Sequence, residues 1–137
     1  MDKINEFISR KEFIEFFKKF RGNNLLKNVK TLLEKLLEKI DFDIKINNGS
    51  IHLLEGKETF LACGFRRSKD YYFIEFISEK SISDVRITKE IIIKDMKRNL
   101  KIKEKINNYI ICQIEIKDVN DIDGKIINWI IKSYKLI

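Results

Sequence analysis

Residues 50–78 constrain the fold more than any other part of this chain. They hold three runs of strand-favouring residues separated by turn signals at 55–58 and 66–70, a pattern that predicts a three-stranded antiparallel meander. The middle run, residues 59–65, has apolar or small residues on both alternating faces. A strand of this kind is usually central in its sheet and covered on each side. We therefore expect the amphipathic segments before and after the meander to cover both of its faces.

Further strands flank the meander. Residues 41–47 alternate apolar and polar side chains, and the Asn-Asn-Gly sequence at 47–49 favours a tight hairpin turn because these residues accept positive φ angles. Residues 109–116 predict another strand. Its inward-facing residues are expected to be Ile110, Cys112, Ile114 and Ile116.

Two wide apolar stripes at helical spacing predict helices over 24–40 and 120–136. A helix with such a stripe is suited to packing on a sheet. The fold class predicted from these elements is α+β, with a mostly antiparallel five- to six-stranded sheet packed by N-terminal and C-terminal helices.

Two further segments contain patterns that predict local structure over fewer residues. Ser9 and Glu12 have the spacing of a capping box, in which each side chain satisfies a free backbone N–H of the other residue. Phenylalanines follow at helical spacing, so we predict an N-terminal helix that begins at Ser9 and ends near Gly22. Residues 79–108 mix strand-like and helix-like intervals, and we predict irregular structure or a strand near 85–88, followed by a helix to about residue 99.

A chain of 137 residues with 44% hydrophobic residues is long enough for one folded core, so residues 1–137 are predicted to form a single domain. No signal peptide and no run of about 18 apolar residues is evident, so we expect a cytoplasmic protein without a membrane partner. Cys63 and Cys112 lie in apolar runs with no second metal-type ligand beside either, and we expect reduced core residues.

The net charge of +7 is unevenly distributed. Residues 1–40 and 79–108 each carry a net charge of +4, whereas residues 41–78 carry −1. A basic excess attracts nucleic acid, anionic membranes or acidic proteins. An AT-rich genome also favours codons for lysine, isoleucine and asparagine, so both explanations of the excess stay open.

The clearest functional signal is a pair of basic clusters. Arg66, Arg67 and Lys69 occupy a predicted turn beside Tyr71 and Tyr72, an arrangement suited to phosphate contacts combined with base stacking. Six further cations fall within twelve residues: Lys94, Lys97, Arg98, Lys101, Lys103 and Lys105. The residues predicted to bind nucleic acid are Arg66, Arg67, Lys69, Tyr71, Lys94, Lys97, Arg98 and Lys101. Each cluster alone is also typical of a solvated turn or helix face.

Other candidate sites are weaker. His52 is the only histidine and is expected to be a surface or half-buried packing residue. Asp118, Asp121 and Asp123 superficially resemble a calcium loop, but the fifth position is Ile122 and the terminal glutamate is missing. These aspartates are therefore predicted to cap a helix.

A metal-dependent nuclease is the least favoured alternative. Such enzymes use a carboxylate followed by Glu-x-Lys, and Glu115-Ile116-Lys117 and Glu55-Gly56-Lys57 fit the triplet. A chain rich in glutamate and lysine contains such triplets by chance. No catalytic residue, metal or cofactor is predicted, and the enzyme assignment is left open, leaning towards a protein without catalytic activity.

Four features support a family resemblance: DFDIKINNGSIHLLEGKETFLACGF, YYFIEFI, the Arg86-Ile87 pair, and YIICQIEIKDVNDIDGKIINWIIKSY. From about residue 33 onward the chain resembles an uncharacterised bacterial and archaeal domain family described as a "predicted transport protein", with members attached to nuclease-type proteins. Residues 1–22 lie outside the match, leaving 23–137 as the α+β core. The closing Ser-Tyr-x-Leu is similar to the YjbR-like α+β family, our second choice. The resemblance implies an accessory domain and supplies no active site.

The sequence therefore predicts a small non-catalytic nucleic-acid-binding module. The alternative is a protein-interaction or oligomerisation module, such as a homodimer, that uses the apolar stripe of residues 13–20 or 26–40.

Overall fold

The computed structural model describes residues 2–20, 24–47, 49–66, 69–93 and 109–137. Within them the chain forms an α+β fold with one six-stranded sheet. The helices are α1 (Asp2–Ser9), α2 (Lys11–Phe17), α3 (Asn24–Leu37) and α4 (Gly124–Leu136), with a 3-10 turn at Val119–Asp121 before α4. The strands are β1 (Asp43–Asn47), β2 (Ser50–Glu55), β3 (Glu58–Phe65), β4 (Tyr72–Ser78), β5 (Ile87–Ile93) and β6 (Tyr109–Ile116).

The sheet has the order β1-β2-β3-β4-β6-β5, and every neighbouring pair is antiparallel. The predicted meander is confirmed as β2, β3 and β4. Gly49 and Gly56 take positive φ angles of 82° and 61° in the two turns that flank β2, a conformation open to glycine because it lacks a Cβ atom.

The helices pack on one face of this sheet. Phe60 on β3 contacts Tyr134 of α4, and the Tyr72 hydroxyl on β4 donates to the backbone carbonyl of Asn28 in α3. Phe65 at the end of β3 meets the ring of Phe16 at 5.0 Å. We predicted that helical segments would cover both faces of the sheet. In the described residues, however, the helix contacts fall on the face that carries Phe60, Phe65 and Tyr72.

A β-bulge explains why residues 59–65 look apolar on both faces. Leu53 pairs with Leu61 whereas Leu54 pairs with Thr59, so Phe60 is the extra residue of the bulge. Phe60 consequently turns to the helix side, where its ring meets Phe42. Beyond the bulge, the opposite face of β3 has two small, half-buried residues, Ala62 and Gly64.

The Ser133 hydroxyl of α4 links the helix layer to the bulge. It donates to the backbone carbonyl of Phe60 at 2.7 Å and accepts from the backbone N–H of Ile77 at 2.9 Å. Ser133 is completely buried. It thereby satisfies two backbone groups of β3 and β4 at a point where burial without a partner would cost about 1–3 kcal/mol each.

The helical stripes supply the core. Helix α3 buries Leu25, Val29, Leu32, Leu33 and Leu36, with each leucine contributing about 1.5–3 kcal/mol through removal from water. The predicted helix over 24–40 is confirmed, although it ends at Leu37. None of the helices in the described ranges reaches the length and hydrophobicity needed to cross a bilayer.

Two local predictions were wrong. Ser9 does not begin a helix: it ends α1 and donates to the Glu6 carbonyl, while α2 starts after Arg10 without a side-chain cap. The side chain of Arg10, which lies between the two helices, instead reaches the carboxylate of Asp43 and the carbonyl of Ile44 on β1.

The second error concerns residues 89–93. The strand predicted near 85–88 begins at Ile87, but residues 89–93 continue it as β5 where a helix was predicted, because β6 offers them a partner across Ile91↔Ile111 and Ile93↔Tyr109. The remainder of the predicted helix, up to residue 99, lies outside the described residues. The strand prediction at 109–116 is confirmed.

The two cysteines are buried and free, as predicted. Burial raises the pKa of Cys63 to about 12 and that of Cys112 to about 11. Both thiols are therefore protonated at neutral pH and pack as small apolar groups.

Candidate nucleic-acid interface

The connection between β3 and β4 brings cations and aromatic rings together at one end of the sheet. Arg66 follows β3, and Tyr71 precedes β4 with Phe73 two residues further along the chain. Lys117 follows β6, whose last residue pairs with Tyr72. We call the set Arg66, Lys69, Tyr71, Phe73 and Lys117 the β3–β4 patch.

In this patch each cation lies near a ring. The guanidinium carbon of Arg66 is 5.1 Å from the centroid of Phe73. The ammonium nitrogens of Lys69 and Lys117 lie 6.0 and 5.6 Å from the centroid of Tyr71. The two rings are 5.7 Å apart and nearly perpendicular, at 77°. These distances are within the range of cation–π attraction.

The charges of the patch are only partly compensated. Lys117 lies 3.4 Å from the carboxylate of Glu115, and both side chains keep contact with solvent. Within the described ranges, neither Arg66 nor Lys69 forms an ion pair, and both residues are exposed. The two cations are therefore available to a phosphate.

The backbone around the patch is held from both sides. The N–H of Lys69 donates to the carbonyl of Arg66 at 3.1 Å, which closes the turn. The side-chain amide of Asn24, the first residue of α3, donates to the carbonyl of Asp70 at 3.2 Å. Helix α3 thus positions the turn that carries the cations.

Among the described residues, the strand partners of Phe73 leave space beside its ring on the β3 side. Phe73 pairs with Gly64 on one side and with Glu115 on the other. A Cβ atom added to Gly64 would meet nothing within 4 Å apart from its own chain neighbours. The Phe73 ring therefore has no side chain of β3 directly beside it, because its partner there is a glycine.

The structure brings together three of the residues predicted from sequence, Arg66, Lys69 and Tyr71. Arg67 and the second basic cluster lie outside the described residues; the cluster members are Lys94, Lys97, Arg98, Lys101, Lys103 and Lys105. Ile93 and Tyr109, which flank that cluster, pair at the other end of β6 from Lys117.

Sequence reasoning missed Phe73 and Lys117. Phe73 could have been found, because residues two apart on a strand share a face and Tyr71 was already a candidate. Lys117 could not, because its proximity to Tyr71 depends on the β4–β6 register, which joins segments about 40 residues apart.

His52 is a polar residue on the same face of the sheet as Phe73. Its Nε2 lies 3.1 Å from the Ser50 hydroxyl and its Nδ1 lies 3.4 Å from the Thr59 hydroxyl. Burial, together with the nearby Lys45 ammonium, lowers the pKa of His52. The histidine is half-buried, as predicted, and borders a cavity of about 360 Å³.

Arg86 occupies a different kind of cation site. Its guanidinium donates to Asp84 at 3.1 Å and to Asp123 at 2.7 Å, and it lies 5.4 Å from the Trp129 ring. Lys125 adds an ion pair with Asp84 at 3.3 Å. We call these residues the Arg86 network. It ties the segment before β5 to the first turns of α4.

The aspartates before α4 are caps, as predicted. Asp123 accepts from the N–H of Ile126 at 3.0 Å, and Asp118 accepts from the N–H of Asn120 at 2.8 Å. Asp121 accepts from the N–H groups of Lys117 and Asp118. In the described part of the chain, no group of three or more histidine, cysteine, aspartate or glutamate side chains is placed to hold a metal ion.

No family model, curated protein or solved structure matches this chain.

Proposed function

We propose that this protein is a non-catalytic nucleic-acid-binding module that contacts its ligand through the β3–β4 patch. The observation that carries the proposal is the arrangement of three cations around two half-exposed rings at one end of the sheet. The proposal also places the protein in the cytoplasm, where nucleic acid is accessible.

The chemistry of the patch fits both parts of a nucleotide. Arginine and lysine neutralise backbone phosphates and release condensed counterions, which provides affinity without sequence preference. Aromatic rings accept a base by stacking, with about 1–3 kcal/mol for each base. The overall charge of +7 adds long-range attraction to either contribution.

The decisive experiment is a salt-titrated binding assay on DNA and RNA. The affinity of the wild-type protein is expected to be micromolar and to fall steeply between about 50 and 200 mM salt. Replacing Arg66, Lys69 and Lys117 together by alanine should lower the slope of log affinity against log salt by about 3, because each phosphate that is no longer neutralised lowers it by about 1.

A matched control removes three exposed cations from the opposite end of the sheet. Lys57 lies in the β2–β3 turn, Lys39 lies four residues before β1, and Lys11 follows Arg10, whose side chain contacts Asp43 at the start of β1. Changing Lys11, Lys39 and Lys57 to alanine removes the same net charge. Equal reductions of affinity in the two triple variants would show that net charge alone drives binding and would refute the patch.

The interaction-module alternative has most of its predicted surface buried in the core. Phe13 and Phe16 are 1% and 3% exposed, and Leu36 is completely buried. Among the described residues of these stripes, Ile14 is the most exposed apolar side chain, at 45%, and it lies beside a cavity of about 340 Å³ lined partly by Ile8 and Leu26. A salt-insensitive dimer that Ile14→Asn dissociates, with no nucleic-acid binding at low salt, would favour this alternative.

The nuclease alternative has its own test. Incubation of the purified protein with DNA or RNA and Mg²⁺ or Mn²⁺ should leave the nucleic acid intact. Metal-dependent cleavage that Glu115→Ala abolishes would replace the binding proposal by an enzymatic function.

A further inference from the structure

The geometry of the two rings in the patch restricts how bases can bind. Tyr71 and Phe73 meet at 77°, edge to face, so their planes are nearly perpendicular. Consecutive stacked bases are parallel to one another, and two of them therefore cannot lie flat on both rings at once. The two rings therefore offer a stacking surface for one base and not for two consecutive bases.

Tyr71 is the better placed of the two rings. Phe73 lies within β4, with strand partners on either side, and the guanidinium group of Arg66 already lies near its ring. Tyr71 lies just outside the strand, and its ring neighbours are two lysine ammonium groups on flexible stems. Phe73 holds the Tyr71 ring in position through the edge-to-face contact.

Two cations of the patch lie close to the Tyr71 ring. Lys69 and Lys117 lie within 6.0 Å of the Tyr71 centroid, one from the β3–β4 turn and the other from the end of β6. They approach from two separate chain segments. A base on Tyr71 would place its neighbouring phosphates within reach of both ammonium groups.

A base in a duplex cannot use such a platform. Its two faces are covered by neighbouring base pairs, and only phosphates and groove edges are exposed. Tyr71 is half-buried, directly before an interior strand of the sheet, and its ring packs against Phe73, so it is not a free wedge that could enter a stack of base pairs. The ligand of the ring must therefore be a base that is already unpaired.

We infer that the β3–β4 patch is a site for one unpaired nucleobase of single-stranded nucleic acid, stacked on Tyr71 with its flanking phosphates bound by Lys69, Lys117 and Arg66. This inference rests on the proposed function and makes it specific.

Electrostatic attraction alone would favour the duplex over the single strand. A duplex carries one charge per about 1.7 Å of its axis and has a denser counterion atmosphere than a single strand. Cations without a stacking platform should therefore bind the duplex more tightly. The ratio of single-strand to duplex affinity separates the two modes of binding.

The experiment compares four fluorescently labelled ligands of one length: single-stranded DNA, single-stranded RNA, a DNA duplex, and a DNA strand with abasic sites throughout. Anisotropy is measured with wild-type protein, Tyr71→Leu, Tyr71→Phe, and the double variant Arg66→Ala and Lys69→Ala. Thermal melting of each variant checks that it is folded. The DNA and RNA arms identify which single strand is preferred.

We expect the wild-type protein to bind single strands more tightly than the duplex or the abasic strand. Tyr71→Leu should weaken single-strand binding by about fivefold to hundredfold, in line with the loss of one stacked base, and leave duplex binding unchanged. Tyr71→Phe keeps the ring and should bind like the wild type. A 2-aminopurine placed in the single strand should lose fluorescence on binding to the wild type, because stacking quenches it.

Different results refute the unpaired-base site and the nucleic-acid-binding function. If the duplex binds at least as tightly as the single strand and Tyr71→Leu has no effect, while the Arg66 and Lys69 double variant weakens both, the unpaired-base site is refuted and the binding function stands. If no ligand binds at low salt, the proposed function itself is refuted.

Discussion

Arg66 and Arg86 each place a guanidinium group near an aromatic ring, at 5.1 Å from Phe73 and 5.4 Å from Trp129. The two sites differ in what else the cation meets. Arg86 donates to two carboxylates, whereas Arg66 has no ion pair within the described residues. A cation near a ring that also pairs with carboxylates contributes to the stability of the fold. A cation near a ring that has no carboxylate partner is available to a ligand.

The location of each site agrees with this difference. The Arg86 network connects the segment before β5 to α4, on the side where Trp129 stacks on Phe76 of the helix-covered face. The β3–β4 patch lies at the end of the sheet beside the space at Gly64. Loss of Arg86 should therefore affect folding, and loss of Arg66 should affect binding.

The largest expected effect is on stability. Arg86→Ala should lower the free energy of unfolding by about 1–2 kcal/mol, because partly buried hydrogen bonds to charged groups are removed and two carboxylates lose their partner. Arg66→Ala should change it by less than about 0.5 kcal/mol, as is usual for exposed residues. Urea denaturation measures both values, and similar decreases in the two variants would contradict the distinction.

A smaller effect is expected from pH. Hydrogen bonds from Arg86 hold the pKa of Asp84 well below its usual range, and the Ile126 N–H together with Arg86 lowers that of Asp123. A depressed carboxylate pKa stabilises the fold above the unfolded value, near 3.8, and this contribution is lost as the pH falls below it.

The melting-temperature gap between wild type and Arg86→Ala should therefore be constant from neutral pH to about pH 5 and should narrow below about pH 4. The gap between wild type and Arg66→Ala should stay small throughout. A gap that widens on acidification would show that these carboxylates are not held ionised by Arg86.

The smallest effect is spectroscopic. Trp129 is the only tryptophan of the chain and lies near Arg86, so its emission reports on the surroundings of the Arg86 network. Arg86→Ala should shift this emission, since a charge near the indole ring is removed. Saturation with single-stranded nucleic acid should leave it unchanged, because the ligand binds at the β3–β4 patch. A shift on ligand binding would place the ligand, or a conformational change, at the Arg86 network.

Much of the site and fold could be predicted where the signal is local. Arg66, Lys69 and Tyr71 are neighbours along the chain, and the turn that joins them is visible in the sequence. The capping role of Asp123 follows from its position before a helical stripe, and the structure shows the predicted bond to a backbone N–H.

Predictions failed where a distant segment competed with a local signal. Ser9 has the spacing of a capping box, yet one helix ends there and the next starts after Arg10, whose side chain contacts β1. Residues 89–93 have some helical intervals, but hydrogen bonding to β6 makes them a strand. Neither outcome can be obtained from a window of sequence, because the partner is tens of residues away.

The sequence by itself determined the α+β class, the meander, helix α3 and the core, because alternation and helical spacing record which side chains leave water. Only the tertiary structure decided that Phe60 lies on the helix side of the sheet, through the bulge in β3, and which residues join Tyr71 at the patch. Lys117 reaches that ring because of the β4–β6 register. Register depends on pairing between distant segments, and no local pattern in the chain specifies it.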